Sequence, residues 1–314
     1  MKERATREAY GKTLVELGRE NQDIVVLTAD LAKSTMVHLF AKEFPQHFFD
    51  CGIAEQNMMG IAAGLAASGK TVFASTFAVF ATARCFDQLR MGIAQPRLNV
   101  KVVASHSGIT VGEDGFSHHA IEDLALACSL PGFTVIAPTD AIETDGVIRV
   151  AAASPGPFYI RLSRSPTPVI HEDDYKFVLR KANTMRPGSD ATIIATGIMV
   201  AKALEAAENL SHQEIDCRVL SMPTLKPLDE EAIIQAATET GAIITAEEHL
   251  EHGGLGSRVA QVVARYRPVP MAFVAIKDTY AISGKPDELL RKYGLSPVDI
   301  AQAVHSTILR KKNT

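Results

Sequence analysis

Residues 50–80 read Asp-Cys-Gly-Ile-Ala-Glu-Gln-Asn-Met-Met-Gly-Ile-Ala-Ala-Gly-Leu-Ala-Ala-Ser-Gly-Lys-Thr-Val-Phe-Ala-Ser-Thr-Phe-Ala-Val-Phe. Within this stretch, residues 56–68 carry no formal charge and are nearly all small or apolar, which predicts a helix packed closely on several sides. Glu55 lies in its first turn. A buried carboxylate needs a partner, whereas an exposed one would only complement the helix dipole. Phe77 and Phe80 lie between a predicted strand and a helix predicted to begin near Ala81, and they offer flat apolar faces. Core packing is one interpretation of these rings, and a site for a heteroaromatic cofactor beside Glu55 is the other.

The composition predicts an ordinary globular protein with two domains. The chain has 314 residues, of which 46% are hydrophobic and 22% are charged. A net charge of −4 gives no electrostatic reason to expect nucleic acid or an anionic membrane as a partner. The four cysteines show neither C-x-x-C pairing nor zinc spacing, so reduced thiols are expected. Because the N-terminus is too charged for a signal peptide and no apolar run could cross a membrane, we expect a cytoplasmic protein.

Predicted strands and helices alternate along the whole chain, which is typical of an α/β fold with a mostly parallel sheet covered on both faces. The clearest predicted strands are Ile24–Thr28, Thr71–Phe77 and Val100–Ser105. The periodicity lapses between residues 164 and 187, where prolines and an acidic run occur. We therefore predict a first domain over residues 1–165, a linker over 166–187 and a second, smaller α/β domain over 188–314.

The loop from His106 to His119 contains most of the groups capable of chemistry. Three histidines and two carboxylates, Glu113 and Asp114, are separated there by three glycines. A solvated loop would explain the charges but not the imidazoles, and a metal site is a further alternative. Because histidine donates, accepts and titrates near neutral pH, the pattern favours a site for a polar, hydroxyl-rich substrate.

The second domain has weaker candidates. The residues Glu247-Glu248-His249, with His252, could form a metal site, but further clustered ligands are missing. Residues 253–256, Gly-Gly-Leu-Gly, open a predicted helix and could hold an anion, although a glycine-rich turn alone is weak evidence.

Taken in order, several motifs across nearly the whole chain resemble the transketolase family. They are Thr28-Ala29-Asp30-Leu31, Gly52-Ile53-Ala54-Glu55-Gln56, Ser75-Thr76-Phe77-Ala78-Val79-Phe80, Asp87-Gln88-Leu89-Arg90-Met91, His106 with Gly112-Glu113-Asp114-Gly115-Phe116-Ser117-His118, Leu162-Ser163-Arg164, Leu225-Lys226-Pro227-Leu228-Asp229, and Glu247-Glu248-His249 with Gly253-Gly254-Leu255-Gly256. The resemblance implies the pyrimidine-binding domain of the thiamine diphosphate enzyme fold, followed by the smaller α/β transketolase C-terminal domain. Transketolase chains are about twice as long, so the match is to the C-terminal subunit of a split transketolase.

The resemblance also implies what this chain lacks. Thiamine diphosphate enzymes hold the diphosphate through Mg²⁺ or another divalent cation, using a Gly-Asp-Gly motif and a downstream Asn. This chain has Glu113-Asp114-Gly115 and no Gly-Asp-Gly. We therefore expect no metal ligands here, a separate N-terminal subunit that carries the diphosphate site, and an α2β2 heterotetramer with the cofactor between unlike chains.

The family's functional residues fall on matching positions of this sequence. Glu55 resembles the catalytic glutamate that hydrogen-bonds N1′ of the aminopyrimidine. Phe77 and Phe80 would pack on that ring, and Asp30 would lie near the cofactor. Ala83, where the family often has an aromatic residue, would leave the pocket more open.

The same resemblance assigns the substrate site. His106 and His118 are implied to be catalytic residues lining the donor channel, with Asp114 on a sugar hydroxyl. The implied sugar-phosphate ligands are Arg7, Ser34, His106 and Arg164. Phe116 stands where the family commonly has proline.

The expected activity is transfer of a two-carbon ketol unit from a ketose phosphate to an aldose. One alternative is 1-deoxyxylulose-5-phosphate synthase-like chemistry or the beta subunit of a 2-oxoacid dehydrogenase. Another is a non-catalytic scaffold subunit. The His106 and His118 pair and Arg164 favour a sugar phosphate, and the presence of Glu55 with both phenylalanines disfavours a scaffold.

Overall fold

A computed structural model describes residues 2–312 of the chain. The first half contains β1 (Glu3–Arg4), α1 (Thr6–Glu20), β2 (Ile24–Thr28), α2 (His38–Glu43), β3 (Phe48–Asp50), α3 (Glu55–Ala67), β4 (Thr71–Phe77), β5 (Val100–Ser105), α4 (Asp123–Ser129), β6 (Thr134–Ile136), α5 (Ala141–Ala153), β7 (Phe158–Arg161) and β8 (Thr167–Pro168). The second half contains β9 (Asn183–Arg186), β10 (Ala191–Ala195), α6 (Met199–Ser211), β11 (Cys217–Ser221), β12 (Thr224–Lys226), α7 (Glu230–Thr240), β13 (Ile243–Leu250), α8 (Leu255–Tyr266), β14 (Met271–Ile276), α9 (Pro286–Lys292) and α10 (Pro297–Lys312).

The first domain is built on a seven-stranded sheet in the order β12-β6-β7-β5-β4-β2-β3. Its strands are parallel apart from β12, which pairs antiparallel with β6. The central strands β2, β4 and β5 are buried along their whole length, which explains why their sequences are mostly apolar. The predicted α/β architecture is confirmed.

The second domain has a five-stranded sheet in the order β14-β13-β10-β11-β9, parallel apart from β9. The two halves are interlocked, because β12 comes from the second half of the chain and extends the sheet of the first. Strand β9 lies inside the predicted linker and already belongs to the second sheet, while β8 pairs with β1. The domain limits proposed from the sequence stay a prediction.

Helix α3 is covered on one side only within this chain, which corrects the expectation of a helix packed on several sides. Met58, Met59 and Ala62 are fully buried against the sheet. Ile61 is 38% exposed on the other face, and a Cβ built on Gly60 would meet no atom of the described residues within 4 Å.

The helix expected near residue 81 is wound as two π-helical segments, Phe80–Arg84 and Gln88–Ala94. Such segments are rare and are frequently found at functional sites. Across residues 2–312, no helix combines the length and the apolar character that a membrane crossing requires. All four cysteines are free thiols.

Candidate active site

The candidate residues gather at the carboxyl edge of the first sheet. Strands β7, β5, β4 and β2 are parallel neighbours, so the segments that follow them come together. Phe77 ends β4, His106 follows β5 and Arg164 follows β7. Hydrogen bonds between Thr6 and Ser163 hold the start of α1 beside the segment that carries Arg164.

Four rings form a cluster at this edge. The Phe77 ring stacks on the His106 imidazole with 3.8 Å between centroids and on Phe80 with 5.8 Å. The His118 imidazole stands edge-on to Phe80 at 5.4 Å and to Phe77 at 6.3 Å. The aromatic pair and the histidine pair predicted from separate motifs are therefore in direct contact.

Glu55 is buried at the start of α3, with only 2% of its surface exposed. Its Oε2 accepts a hydrogen bond from Nη1 of Arg84 at 2.7 Å. The guanidinium of Arg84 also lies over the Phe80 ring, 4.3 Å from the ring centroid. A planar group with N–H donors therefore fits between this carboxylate and this aromatic face.

Positive charge concentrates beside the ring cluster. Burial lowers the pKa of Arg7, and the positive charge of Arg164 lowers it further. Arg7 donates through Nη1 to the backbone carbonyl of Ser34 at 2.7 Å, and its buried Nε has no hydrogen-bond partner in the part of the chain that the structure describes. The carboxylate of Asp114 lies 3.8 Å from Arg164, which also donates to the carbonyl of Val111. The two guanidinium groups form a site suited to an anion, although the exposed carboxylate of Asp114 pairs loosely with Arg164 and the charge of Glu8 acts on Arg7.

His106 is held neutral in this surrounding. Burial lowers the pKa of His106 to about 3, and the charges of Arg7, Arg164 and His118 act in the same direction. Its Nδ1 is within hydrogen-bonding distance of Ser105 Oγ at 2.9 Å. The backbone at His106 has a positive φ of 57°, and strain of this kind concentrates at functional sites.

The second domain holds the histidine loop in place. The N–H of Thr110 donates to Oε1 of Glu248 at 2.6 Å. A Cβ at Gly108, which has a φ of +71°, would lie 2.1 Å from Cδ of Glu248, so only glycine fits there. Burial raises the pKa of Glu248 to about 7, with Arg161 and Thr110 opposing the shift. Arg161 also donates to the backbone carbonyl of Glu248 at 2.9 Å and to the buried carboxylate of Asp123 at 2.8 Å.

The comparisons with known proteins agree with this architecture. Residues 2–169 match the model of the transketolase pyrimidine-binding domain, and residues 180–300 match that of the transketolase C-terminal domain. The chain belongs to the transketolase family. Its two domains are those of the C-terminal subunit of a split transketolase, as the motif order indicated.

Similar members of the transketolase family are themselves subunits. The chain is 41% identical over 311 residues to the 6-deoxy-6-sulfo-D-fructose transketolase subunit SqwH of Clostridium sp. (strain MSTE9), covering 99% of this chain and 97% of that one. It is 41% identical over 299 residues to an apulose-4-phosphate transketolase subunit of Phocaeicola vulgatus, covering 95% and 96%. A solved structure of a split-gene transketolase, an inactive beta4 tetramer, superposes with a TM-score of 0.91 at 50% identity and covers 98% of this chain and 99% of that one.

Not every residue assigned from the transketolase motifs joins the cluster. Asp30 follows β2 at the same sheet edge, but its side chain is exposed. Its backbone N–H donates to Asp50 Oδ1 at 2.8 Å, and no contact links its carboxylate to the rings among the described residues. Ser34 contributes a backbone carbonyl, while Asp114 is exposed on the loop.

Sequence reasoning missed Arg84 and the bracing role of Glu248. Arg84 is the one cation in residues 71–89, a signal that was available beside the aromatic motif. Glu248 could not be placed in advance, because its partner Thr110 is 138 positions away.

The weaker candidates in the second domain have other uses. The carboxylate of Glu247 accepts hydrogen bonds from the N–H groups of Leu255 and Gly256 at 2.7 and 2.8 Å, so the glycine-rich helix start is occupied by the chain itself. His249 Nε2 accepts from the N–H of Ala125. Among residues 2–312, no three His, Cys, Asp or Glu side chains come together as a metal site.

Proposed function

We propose that this chain is the catalytic C-terminal subunit of a thiamine diphosphate-dependent transketolase, which transfers a two-carbon ketol unit from a ketose phosphate to an aldose or aldose phosphate. The observation that supports this best is the arrangement at one sheet edge. A buried carboxylate, a ring cluster with two imidazoles and a cationic patch lie near one another there. The carboxylate matches a cofactor ring, the imidazoles match a reacting sugar, and the cationic patch matches the anionic end of that sugar.

Glu55, Phe77 and Phe80 would hold the aminopyrimidine end of the cofactor, and Asp30 would lie nearby. Thiamine diphosphate, when bound, supplies the carbanion chemistry that breaks and forms the bond beside a ketose carbonyl. Glu55 would hydrogen-bond a ring nitrogen and hold its proton, while the two phenylalanines would exclude water from the ring.

His106 and His118 would act on the sugar itself. Because its pKa is about 3, His106 is neutral at pH 7 and can both donate and accept a hydrogen bond. His118 Nδ1 is within hydrogen-bonding distance of Ser117 Oγ at 3.0 Å, which orients its ring. These two imidazoles would bind sugar hydroxyls and move protons, with Asp114 on a further hydroxyl.

The cationic patch would bind the charged end of the substrate. Arg7 and Arg164, together with Ser34 and His106, would contact a terminal phosphate. The names of two related subunits contain a sulfo sugar and a sugar phosphate. Both groups are anions, so the same patch suits a substrate of either kind. A 2-oxoacid carries its carboxylate directly beside the reacting carbonyl and has no anion at its far end, whereas a ketose phosphate places its anion several carbons away, where this patch would meet it, so the patch favours ketol transfer.

The remaining half of the cofactor site would come from a separate N-terminal subunit carrying the diphosphate motif and Mg²⁺ or another divalent cation. The described residues contain no cluster of metal ligands, and the similar split-gene structure is an inactive assembly of beta chains alone. We propose an α2β2 heterotetramer located in the cytoplasm.

The test is reconstitution with the N-terminal subunit, thiamine diphosphate and Mg²⁺, followed by assay with a panel of ketose phosphates and aldose acceptors. Glu55→Ala should lower kcat by at least about 100-fold, because it removes the group that holds the ring proton. The matched control is Glu205→Ala, which removes an exposed carboxylate on α6. Undiminished turnover by Glu55→Ala would refute a catalytic role, and strong turnover by the isolated chain would refute the shared site. Pyruvate with glyceraldehyde 3-phosphate tests the synthase-like alternative.

A further inference from the structure

Arg84 occupies the two partners that the cofactor ring needs. Its guanidinium donates to Glu55 Oε2 at 2.7 Å and lies 4.3 Å from the centroid of Phe80. A guanidinium and an aminopyrimidine are both flat, delocalised groups, and both carry N–H donors. Either can therefore pack on the Phe80 ring and donate to the Glu55 carboxylate. Both groups cannot occupy this position at once.

We propose that Arg84 closes the pyrimidine pocket of the isolated chain as a built-in competitor of the cofactor ring. This inference rests on the proposed function, because it takes Glu55 and Phe80 as the ring's partners. Arg84 thus acts as a gate: it blocks access to the Glu55 carboxylate and gives that carboxylate a hydrogen-bond donor when no cofactor ring is bound.

The surroundings of Arg84 allow its side chain to leave while its backbone stays. The Arg84 side chain is 45% exposed, whereas that of Glu55 is 2% exposed. Within residues 2–312, the guanidinium is bound by Glu55 and Phe80 alone. The backbone carbonyl of Arg84 accepts a hydrogen bond from Gln56 Nε2 at 3.1 Å, which ties the end of the π-helical segment to α3. Solvent is therefore directly available to the displaced guanidinium.

The departure of Arg84 alone is unfavourable, since it would leave a buried carboxylate without a donor. Another hydrogen-bond donor must therefore replace Arg84 at Glu55. The departure of Arg84 and the binding of the cofactor ring are coupled for this reason. A charge-assisted hydrogen bond of this kind accounts for roughly 10-fold to 100-fold in a binding constant. Removing the competitor should tighten ring binding by about that factor.

The experiment uses the purified full-length chain and 4-amino-2,5-dimethylpyrimidine, a ring fragment that has no diphosphate and so needs no partner subunit. Fragment affinity is measured by saturation-transfer NMR for the wild type, Arg84→Gln and Arg90→Gln. Arg90 is the matched control, because it is an exposed arginine on the neighbouring π-helical segment whose side chain, among residues 2–312, makes a hydrogen bond only to Met91. Arg84→Gln should bind the fragment at least about tenfold more tightly, and Arg90→Gln should bind it as the wild type does.

Glu55→Gln in the Arg84→Gln background separates the gate from the pocket. If the fragment binds Arg84→Gln no more tightly than the wild type, and this binding depends on Glu55, the gate is refuted and the proposed function stands. If no variant binds the fragment, or binding is indifferent to Glu55, the pocket assignment and the gate are both refuted. Arg84→Met keeps the side-chain length over Phe80 without the charge, and it replaces Arg84→Gln if that variant does not fold.

Discussion

The substitution Glu248→Gln should raise the free energy of unfolding, measured relative to the wild type, when the pH is raised from 4.5 to 8. This is expected even though Glu248 braces the histidine loop. The side chain is 2% exposed, and its Oε1 accepts the N–H of Thr110 at 2.6 Å. Glutamine keeps a carbonyl oxygen for that N–H and removes the titrating charge. The substitution therefore measures the free-energy cost of burying the carboxylate charge while the hydrogen bond from Thr110 is kept.

The magnitude follows from the pKa of Glu248, which burial raises from 4.5 to about 7 against the opposing effects of Arg161 and Thr110. The unfolded chain releases this proton near pH 4.5 and the folded protein near pH 7, so the charged form favours unfolding. The contribution of Glu248 to stability therefore falls as the pH rises from about 4.5 to about 7 and is level above that. Because a tenfold change in proton affinity corresponds to about 1.4 kcal/mol, the wild type loses about 3 kcal/mol over this range through Glu248.

The assay is urea unfolding followed by circular dichroism at pH 4.5 and pH 8. Burying the amide has its own cost, but that cost is independent of pH and cancels when the two values are compared. The free energy of unfolding of Glu248→Gln, relative to the wild type, should rise by about 3 kcal/mol between pH 4.5 and pH 8. Glu205→Gln, an exposed carboxylate, should show no such rise. The same difference from the wild type at both pH values would refute the reasoning.

Three further predictions concern stability, measured in the same way. Gly108→Ala should destabilise the chain by at least about 2 kcal/mol, because the backbone φ is +71° and the new Cβ would lie 2.1 Å from Cδ of Glu248. Gly60→Ala, in open space on a helix, should stabilise the chain by about 0.5–1 kcal/mol. Equal effects of the two substitutions would contradict this prediction. The pKa of His106 is lowered from 6.5 to about 3, so its ring stays neutral in the folded protein while it gains a proton in the unfolded chain. The wild type should therefore lose about 2.5 kcal/mol between pH 7 and pH 4.5 that His106→Gln does not lose. Asp140→Ala should cost about 3–5 kcal/mol, because the buried carboxylate caps α5 and accepts two backbone N–H groups and the ring of His171; a cost below about 1 kcal/mol would contradict that role.

The regular elements could be predicted well because their signals are local. The predicted bounds of Ile24–Thr28, Thr71–Phe77 and Val100–Ser105 are those of β2, β4 and β5. Each is rich in apolar and β-branched residues, with few polar positions such as Lys101 in β5, which is typical of a strand buried on both faces of a parallel sheet. The convergence of Phe77 and His106 follows from the same pattern, because the carboxyl ends of neighbouring parallel strands share one edge.

Features that depend on distant partners could not be predicted. The small, uncharged residues of α3 indicated close packing, yet the face that carries Gly60 and Ile61 is exposed in this chain. The stretch after Phe80 looked helical, but its π-helical winding depends on the tertiary structure around it. Strand β12 crosses from the second half of the chain to the first sheet, a choice that no local pattern records.

The sequence by itself determined the alternation of strands and helices, the family and the set of residues that could perform chemistry, because hydrophobic periodicity and motif order are properties of neighbouring residues. The tertiary structure alone decided which of these groups touch. Arg84 meets Glu55 across 29 positions and Glu248 meets Thr110 across 138. The physical reason is that a buried charge must find its partner in space, wherever along the chain that partner lies.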